Sequence, residues 1–334
     1  MTRLPSLPRG FTARASKPND AEQMVHLTNE CFEAAGDDTR ITLDAVQSRF
    51  STPGFNPATS TLVVSSPEDR LVGLMIVDDL ANPPVHPSLH GCVHPEYEGK
   101  GIGTFLLAWA EERSRQTLDR VDPGTGVSMR QYVNGTHEPS NRLLQHHGWQ
   151  KIRHGWIMAI DLDEQPATPS WPDRVVLRTF KEMPDLRVVF DVLCEAWHGS
   201  NPDQKWLEAE VIRWQHLIDN NPAFDPTGWF LALEGSEIAG ISLCQEASTK
   251  QNTRVGEVQQ LAVRQPWRRR GLGTALLQHS FNVFFERGYK RVTLGVDANN
   301  PSKATRIYEG AGMRPIQESL LYEKEIRPRK KQDS

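Results

Sequence analysis

One pattern occurs twice in the chain, and this repeat constrains the fold more than any other feature of the sequence. Each copy has an apolar strand, a glycine-rich turn and then a segment with helical apolar spacing. At an offset of 170 residues the matched positions are Val93 with Val263, Tyr97 with Trp267, Gly101 with Gly271, Gly103 with Gly273, Thr104 with Thr274, and Leu106-Leu107 with Leu276-Leu277. Each copy continues with a strand, a helix and a glycine corner, at Gly148-Trp149 and at Gly312-Met313. The sequence therefore predicts two copies of one α/β domain.

The length of 334 residues agrees with about two domains. We expect an N-terminal domain over 1–162 and a C-terminal domain over 175–327. The segment between them, 163–174, reads DEQPATPSWPDR, which is Pro-rich and polar and is typical of a linker. A final strand, at 156–162 and again at 320–326, is expected to close each half. The basic residues 328–334 are expected to form a disordered tail.

Composition excludes several classes of protein. The net charge of −4 gives no global attraction to nucleic acid or to a membrane surface. The four cysteines are scattered without paired metal spacing, so we expect free thiols in a reducing compartment and no metal. No apolar leader or span of membrane length is present, and we expect a cytoplasmic protein.

The second glycine-rich turn has the composition of an anion site. The segment 256–277 reads GEVQQLAVRQPWRRRGLGTALL, in which a strand leads through RRRGLGT into a helix. Backbone N–H groups at a helix N-terminus converge on one point, and the helix dipole adds partial positive charge there. Glycines let a phosphate approach the backbone closely. Seven consecutive residues are therefore candidates for holding a phosphate: Arg268, Arg269, Arg270, Gly271, Leu272, Gly273 and Thr274.

These residues carry a resemblance to a known family. The motif Arg268-x-x-Gly271-x-Gly273, followed by Asn300-x-x-x-Ala304-x-x-x-Tyr308-x-x-x-Gly312-Met313, resembles the acyl-CoA-binding core of the GNAT superfamily of N-acetyltransferases. Two such units in tandem, with GEV in the second central strand, are similar to the mycothiol synthase subgroup. The resemblance implies an open, mixed, twisted sheet flanked by helices in each half. It also implies that two central parallel strands splay apart to admit the pantetheine arm.

The resemblance implies acetyl-CoA as cosubstrate and gives two residues a role in proton transfer. Glu257 would take a proton from the attacking amine, and Tyr308 would protonate the departing thiolate. The alternatives are a surface carboxylate at a strand end and an aromatic residue in the core. The backbone N–H near Leu261 would polarise the thioester carbonyl. The remaining implied contacts to acetyl-CoA come from Ala262, Val263 and Asn300.

The N-terminal half departs from the motif at three positions. The offset places Pro87 opposite Glu257 and Glu98 opposite Arg268, and counting back from Gly148 places Leu144 opposite Tyr308. A carboxylate at Glu98 would repel a pyrophosphate. We therefore expect a degenerate half that is structural or binds CoA weakly. Its candidate second CoA site consists of Val93, Lys100, Gly101, Ile102, Gly103 and Thr104.

The acceptor is less constrained by the sequence. Trp197, Trp206 and Trp214 are close together before the central strand of the second half and are candidates to hold it, although such rings more often fill a core. We expect an N-acetyltransferase acting on a small-molecule amine, as a monomer or a homodimer. Transfer of another acyl group, transfer to an oxygen or sulfur acceptor, and binding of acyl-CoA without catalysis remain open. A mycothiol precursor, an aminoglycoside-like compound, a polyamine and a peptide amine all remain open as acceptors.

Overall fold

A computed structural model describes residues 4–198, 204–221, 224–247, 254–298 and 304–329. The chain forms two compact units. The first unit contains the chain up to His154 together with the residues from Ser319 onwards, and the second contains Gly155–Glu318.

The helices and strands follow the order expected from the sequence. In chain order they are β1 (Thr12–Arg14), α1 (Ala21–Ala34), α2 (Leu43–Ser51), α3 (Pro57–Ser60), β2 (Thr61–Ser65), β3 (Leu71–Asp78), β4 (Ser88–Val93), α4 (Ile102–Arg115), β5 (Val127–Asn134), α5 (Glu138–His146), β6 (Gln150–Asp161), β7 (Val175–Thr179), α6 (Leu186–His198), α7 (Gln204–Asp219), β8 (Trp229–Glu234), β9 (Glu237–Ala247), β10 (Val255–Val263), α8 (Leu272–Glu286), β11 (Arg291–Asp297), α9 (Ala304–Gly310) and β12 (Arg314–Arg327). The bounds of β4 could not be predicted, because prolines before and after this strand obscure its period.

Each unit contains a mixed sheet, as expected. The strand order is β1-β2-β3-β4-β5-β12 in the first unit and β6-β11-β10-β9-β8-β7 in the second. Neighbouring strands are antiparallel except for β4 with β5 and β10 with β11, which are parallel. In the second unit, α8 covers one face of the sheet with an apolar cluster that includes Leu276 and Phe281. The other face packs against α6 and α7 through Phe190, Leu193 and Leu207.

The last strand of each half does not join the sheet of its own half, which corrects the expected domain boundaries. Residues 155–161 of β6 pair with β11 in the second unit, and residues 319–327 of β12 pair with β5 in the first. Alternating apolar residues specify a strand but not the neighbour to which it bonds. The boundary between the compact units therefore falls inside β6, at 154/155.

The Pro-rich segment 163–174 is a part of the second unit and does not separate two domains. It runs from β6 to β7 and packs on α8. The Trp171 ring lies 5.8 Å from the His279 ring, and Asn282 donates a hydrogen bond to the Ala167 carbonyl at 2.9 Å. A Pro-rich polar composition fits a surface-crossing connection as well as it fits a linker, so composition could not separate the two.

The parallel central strands separate in each unit. In the second unit, β10 and β11 pair from Val255 with Arg291 to Glu257 with Thr293, and both strands then continue beyond that pair. In the first unit, β4 and β5 pair at Ser88 and Arg130. The splayed strands confirm the sheet geometry that the resemblance implied. No described helix is long and apolar enough to cross a bilayer.

Candidate functional site

The turn that enters α8 has the backbone shape of an anion-binding loop. Arg269 and Gly271 both have positive φ, at 60° and 83°. The matching residues of the first unit, Gly99 and Gly101, have φ of 72° and 86°. The two turns therefore share one conformation. In the second unit an arginine accepts a left-handed backbone that is strained for any residue with a Cβ, and such strain is concentrated at functional sites.

The N-terminus of α8 is open at this turn. Gly271 occupies the cap position, which provides no side-chain hydrogen bond to the first N–H groups of the helix. A Cβ built on Gly273 would find Val263 Cγ2 as its nearest neighbour, at an ordinary contact of 3.6 Å. The N–H groups of the first turn are thus accessible to an anion.

The three arginines of the turn differ in what they contact. The Arg268 guanidinium donates hydrogen bonds to the Val263 carbonyl, at 3.0 Å, and to the Ala196 carbonyl at the end of α6. It therefore also holds the turn in place. Arg270 lies 3.4 Å from Glu234, with 52% of its side chain exposed. Arg269 is exposed, so its charge can meet an incoming anion.

Glu257 lies where the gap between β10 and β11 opens. It belongs to the last described pair of these strands, and its side chain is half-buried. Its Oε2 accepts a hydrogen bond from Gln245 Nε2 at 2.7 Å. Gln245 was not among the site residues predicted from the sequence. The one sequence feature that could have indicated Gln245 is its polar side chain at the end of the apolar strand IAGISLCQEA.

Tyr308 lies on the opposite face of the sheet from Glu257. It is buried in α9, in the apolar cluster that contains Val258 and the buried face of α8. Because neighbouring strand residues point to opposite faces, Glu257 points away from that cluster. Burial raises the pKa of the Tyr308 phenol above its ordinary value, so the phenol keeps its proton at neutral pH. A group that reaches both residues must enter the gap between the strands.

The strand register corrects the comparison of the two halves. In β10 the pairing with β9 shifts by one residue between Val258 and Gln260, whereas β4 pairs with β3 without a shift. The extra residue changes the offset, so Ser88 and not Pro87 occupies the position of Glu257. Both Ser88 and Glu257 pair across the parallel strands at the opening of the gap. A sequence alignment without gaps cannot show a bulge of one residue.

The first unit also keeps its glycine turn but fills the space around it. The Leu143 Cδ2 atom lies 2.8 Å from the position that a Cβ on Gly103 would take. Lys100 lies 4.4 Å from the centre of the Tyr97 ring, and Thr104 is 3.3 Å from His147 Nε2.

Two further differences concern charge and proton exchange in the first unit. Glu98 pairs with His137 at 3.3 Å, and Leu144, at the position of Tyr308, is buried. Val93 and Ile102 pack in the apolar cluster of this unit. The candidate second CoA site is thus more enclosed and less basic than the turn that enters α8.

The candidate acceptor residues are only partly described. Trp214 packs between Phe190 and Trp229, with ring centres 5.0 Å and 5.8 Å away, and so contributes to the core. The side chains of Trp197 and Trp206, and all of Asn300, lie outside the described residues. Within the described part of the chain, no three His, Cys, Asp or Glu side chains are arranged to hold a metal ion.

Comparisons with known proteins agree with this geometry. The sequence profile of the acetyltransferase (GNAT) family matches residues 21–125 and 187–313. A mycothiol acetyltransferase of Streptomyces scabiei is 30% identical over 273 residues, which cover 79% of each chain. The crystal structure of a GCN5-related N-acetyltransferase from Sphaerobacter thermophilus is 32% identical, with a TM-score of 0.79, over 97% of this chain and 98% of that one.

A tandem GNAT protein from the clavulanic acid biosynthesis pathway shares the fold, with a TM-score of 0.70 at 19% identity over 95% of this chain and 99% of that one. The family profile covers both copies of the repeat, and the structural relatives extend over both units. The chain belongs to the acetyltransferase (GNAT) family, as an acyltransferase with two GNAT units in tandem.

Proposed function

We propose that this protein transfers the acetyl group of acetyl-CoA to a primary amine of a small molecule, by direct attack within a ternary complex in the second unit. The observation that carries the proposal is the gap between β10 and β11. Glu257 lies at its opening, Tyr308 lies on the opposite face of the sheet, and an open helix N-terminus follows β10.

The residues of the second unit fit acetyl-CoA. The turn 268–274 offers backbone N–H groups, two positive-φ positions and an exposed arginine for the pyrophosphate. Beyond Glu257, alternate N–H groups of β10 face the gap, because an antiparallel strand bonds its neighbour β9 with every second residue. Leu261, Ala262 and Val263 would line the pantetheine arm there, and Asn300 would add a polar contact.

In this proposal the two proton transfers take place on opposite faces of the sheet. Acetyl-CoA supplies an acetyl group activated as a thioester. Glu257 accepts the proton that the amine loses as it attacks, directly or through water. The N–H near Leu261 stabilises the charge that develops on the carbonyl oxygen. Tyr308 donates its phenolic proton to the sulfur as the thiolate departs.

The first unit contributes no turnover in this proposal. The hydroxyl of Ser88 is not basic at neutral pH, and Leu144 cannot exchange a proton. Leu143 packs closely against Gly103, with its Cδ2 atom 2.8 Å from the position of a Cβ there. The unit retains its fold and its turn, which leaves it a structural role or weak binding of CoA.

Among acceptors, we place an amine precursor of mycothiol first. Its support is the name of the curated relatives, which are mycothiol acetyltransferases at 25–30% identity. An aminoglycoside-like compound, a polyamine and a peptide amine are the other acceptors to compare. Each of these compounds has a primary amine, and only the neutral form of that amine can attack the thioester.

The test is release of free thiol from acetyl-CoA across a panel containing each class of amine. We expect turnover with one class, and loss of that turnover in the Glu257→Gln, Tyr308→Phe double variant. The Gly103→Ala variant of the first unit is the control and should keep the wild-type rate. A double variant that remains near the wild-type rate would locate the active site elsewhere. If no amine of the panel causes thiol release, although acetyl-CoA binds measurably, the protein binds acetyl-CoA without catalysis.

A further inference from the structure

Glu257 has a fixed partner on the neighbouring strand. Gln245 in β9 and Glu257 in β10 are register partners, and the Gln245 amide donates to Glu257 Oε2 at 2.7 Å. Both side chains are half-buried. Because the two strands already fix the backbones and partly bury both side chains, the Gln245 amide loses little further conformational entropy when it makes this bond.

The pair lies on the face of the sheet that receives α6 and α7. Gln245 follows Leu243 by two residues, and Leu243 packs in the apolar cluster of those helices. Cys244 and Glu246, between and beside them, point to the opposite face. The Gln245–Glu257 bond is therefore made on the α6 and α7 face of the sheet, at the opening of the gap.

The bond has a specific chemical consequence. It occupies Oε2 and leaves Oε1 of the same carboxylate to accept a proton. The amide also fixes the rotation of the carboxylate plane, and general-base catalysis depends on that orientation.

The first unit provides an internal comparison. Asp78 and Ser88 occupy the register positions of Gln245 and Glu257. Asp78 forms an ion pair with Arg49 at 3.1 Å, and no amide is available there to orient a base. In the first unit, which lacks the proposed catalytic groups, both residues of the Gln245–Glu257 pair are therefore replaced.

We propose that Gln245 is a positioning residue for the acetyl transfer, which orients the Glu257 carboxylate. The inference rests on the proposed function, because Gln245 would act only by orienting Glu257, the proposed base. Gln245 need not touch the acetyl group or the sulfur.

The experiment measures kcat and the KM for acetyl-CoA of Gln245→Met at neutral pH, with one amine acceptor used throughout. Methionine keeps the length of the side chain and removes the donor. We expect kcat at neutral pH to fall about tenfold, the loss of one hydrogen bond to a charged group. The KM for acetyl-CoA and the unfolding midpoint should stay unchanged. Gln215→Met, at an exposed position of α7, is the matched control and should alter none of these values.

A second pair of variants separates this inference from the proposed function. If Glu257→Gln keeps the wild-type rate, Glu257 is not the base and the proposed function fails. If Glu257→Gln is inactive while Gln245→Met keeps the wild-type kcat, only the role of Gln245 is overturned. If both are impaired, adding Gln245→Met to Glu257→Gln should cause no further loss, because the two residues act as one unit.

Discussion

Glu257 and Thr293 form the last described pair between β10 and β11, although β10 continues to Val263 and β11 to Asp297. The sheet is thus held together on one side of this pair and open on the other. The carboxylate of Glu257 lies at the boundary, with Tyr308 on the opposite face. In the proposed function, a thioester within the gap would meet Glu257 from one face and Tyr308 from the other.

Replacing Tyr308 by phenylalanine removes only the phenolic hydroxyl. We expect kcat to fall by about 10²–10⁴-fold with little change in acetyl-CoA affinity. Burial raises the pKa of Tyr308, so the donor stays protonated and should cause no decline in wild-type kcat up to about pH 9. Steady-state kinetics over pH 6–9, with calorimetric acetyl-CoA binding, check both points. A Phe variant with the wild-type rate would make Tyr308 a packing residue.

Replacing Gly273 by valine should block CoA without unfolding the protein. The nearest atom to a Cβ at this position is Val263 Cγ2, at an ordinary contact of 3.6 Å, so the Cβ itself causes no clash. We expect CoA affinity to fall more than about tenfold, because the side chain occupies the anion site. Gly271 is less suitable, since its positive φ would strain any substitution. Isothermal calorimetry of the folded variant, beside Gly103→Ala as control, measures the effect, and unchanged affinity would refute the assigned site.

Gly256→Ala tests the packing between α8 and the strand residue next to Glu257. A Cβ on Gly256 would lie 2.6 Å from ring atoms of Phe284, and a ring between the sheet and α8 has little freedom to move. We expect a loss of about 1–3 kcal/mol in the free energy of unfolding by urea. Gly295→Ala on β11 is the control, because its nearest neighbour, Ile157 Cδ1, is 3.8 Å away. Combining Gly256→Ala with Phe284→Leu should cost less than the sum of the two changes, and simple additivity would argue against the clash.

Because β6 pairs within the second unit and β12 within the first, the structure predicts which fragment of the chain can fold as the second unit. A fragment of residues 155–318 retains β6, which pairs with β11 from Gly155 to Asp161. A fragment of 163–318 lacks that strand, exposes the edge of β11 and uncovers the cluster that contains Met158. We expect the first fragment to unfold cooperatively and the second to aggregate or to melt at a lower temperature. Equal melting temperatures by circular dichroism would show that β6 contributes nothing to this unit.

Much of the fold and part of the site follow from local sequence. The repeat at an offset of 170 residues, the order of strands and helices, and the shared shape of the glycine turns depend on periodicity and on glycine positions, which are local properties. Glu257 could be selected because it lies in a strand that leads into such a turn. The same local information could not show whether it is a base, and that role remains a proposal.

Other features were decided by tertiary structure alone. The partner of a strand is chosen by long-range packing, so the sequence could not show that β6 and β12 each join the other unit. The single-residue bulge in β10, which moves the equivalence from Pro87 to Ser88, depends on register with β9. The contact of Leu143 with Gly103 and the bond from Gln245 to Glu257 join residues 40 and 12 positions apart. Such pairs form only when the sheet brings them together, whereas the turn that enters α8 is built from consecutive residues and is visible in the sequence itself.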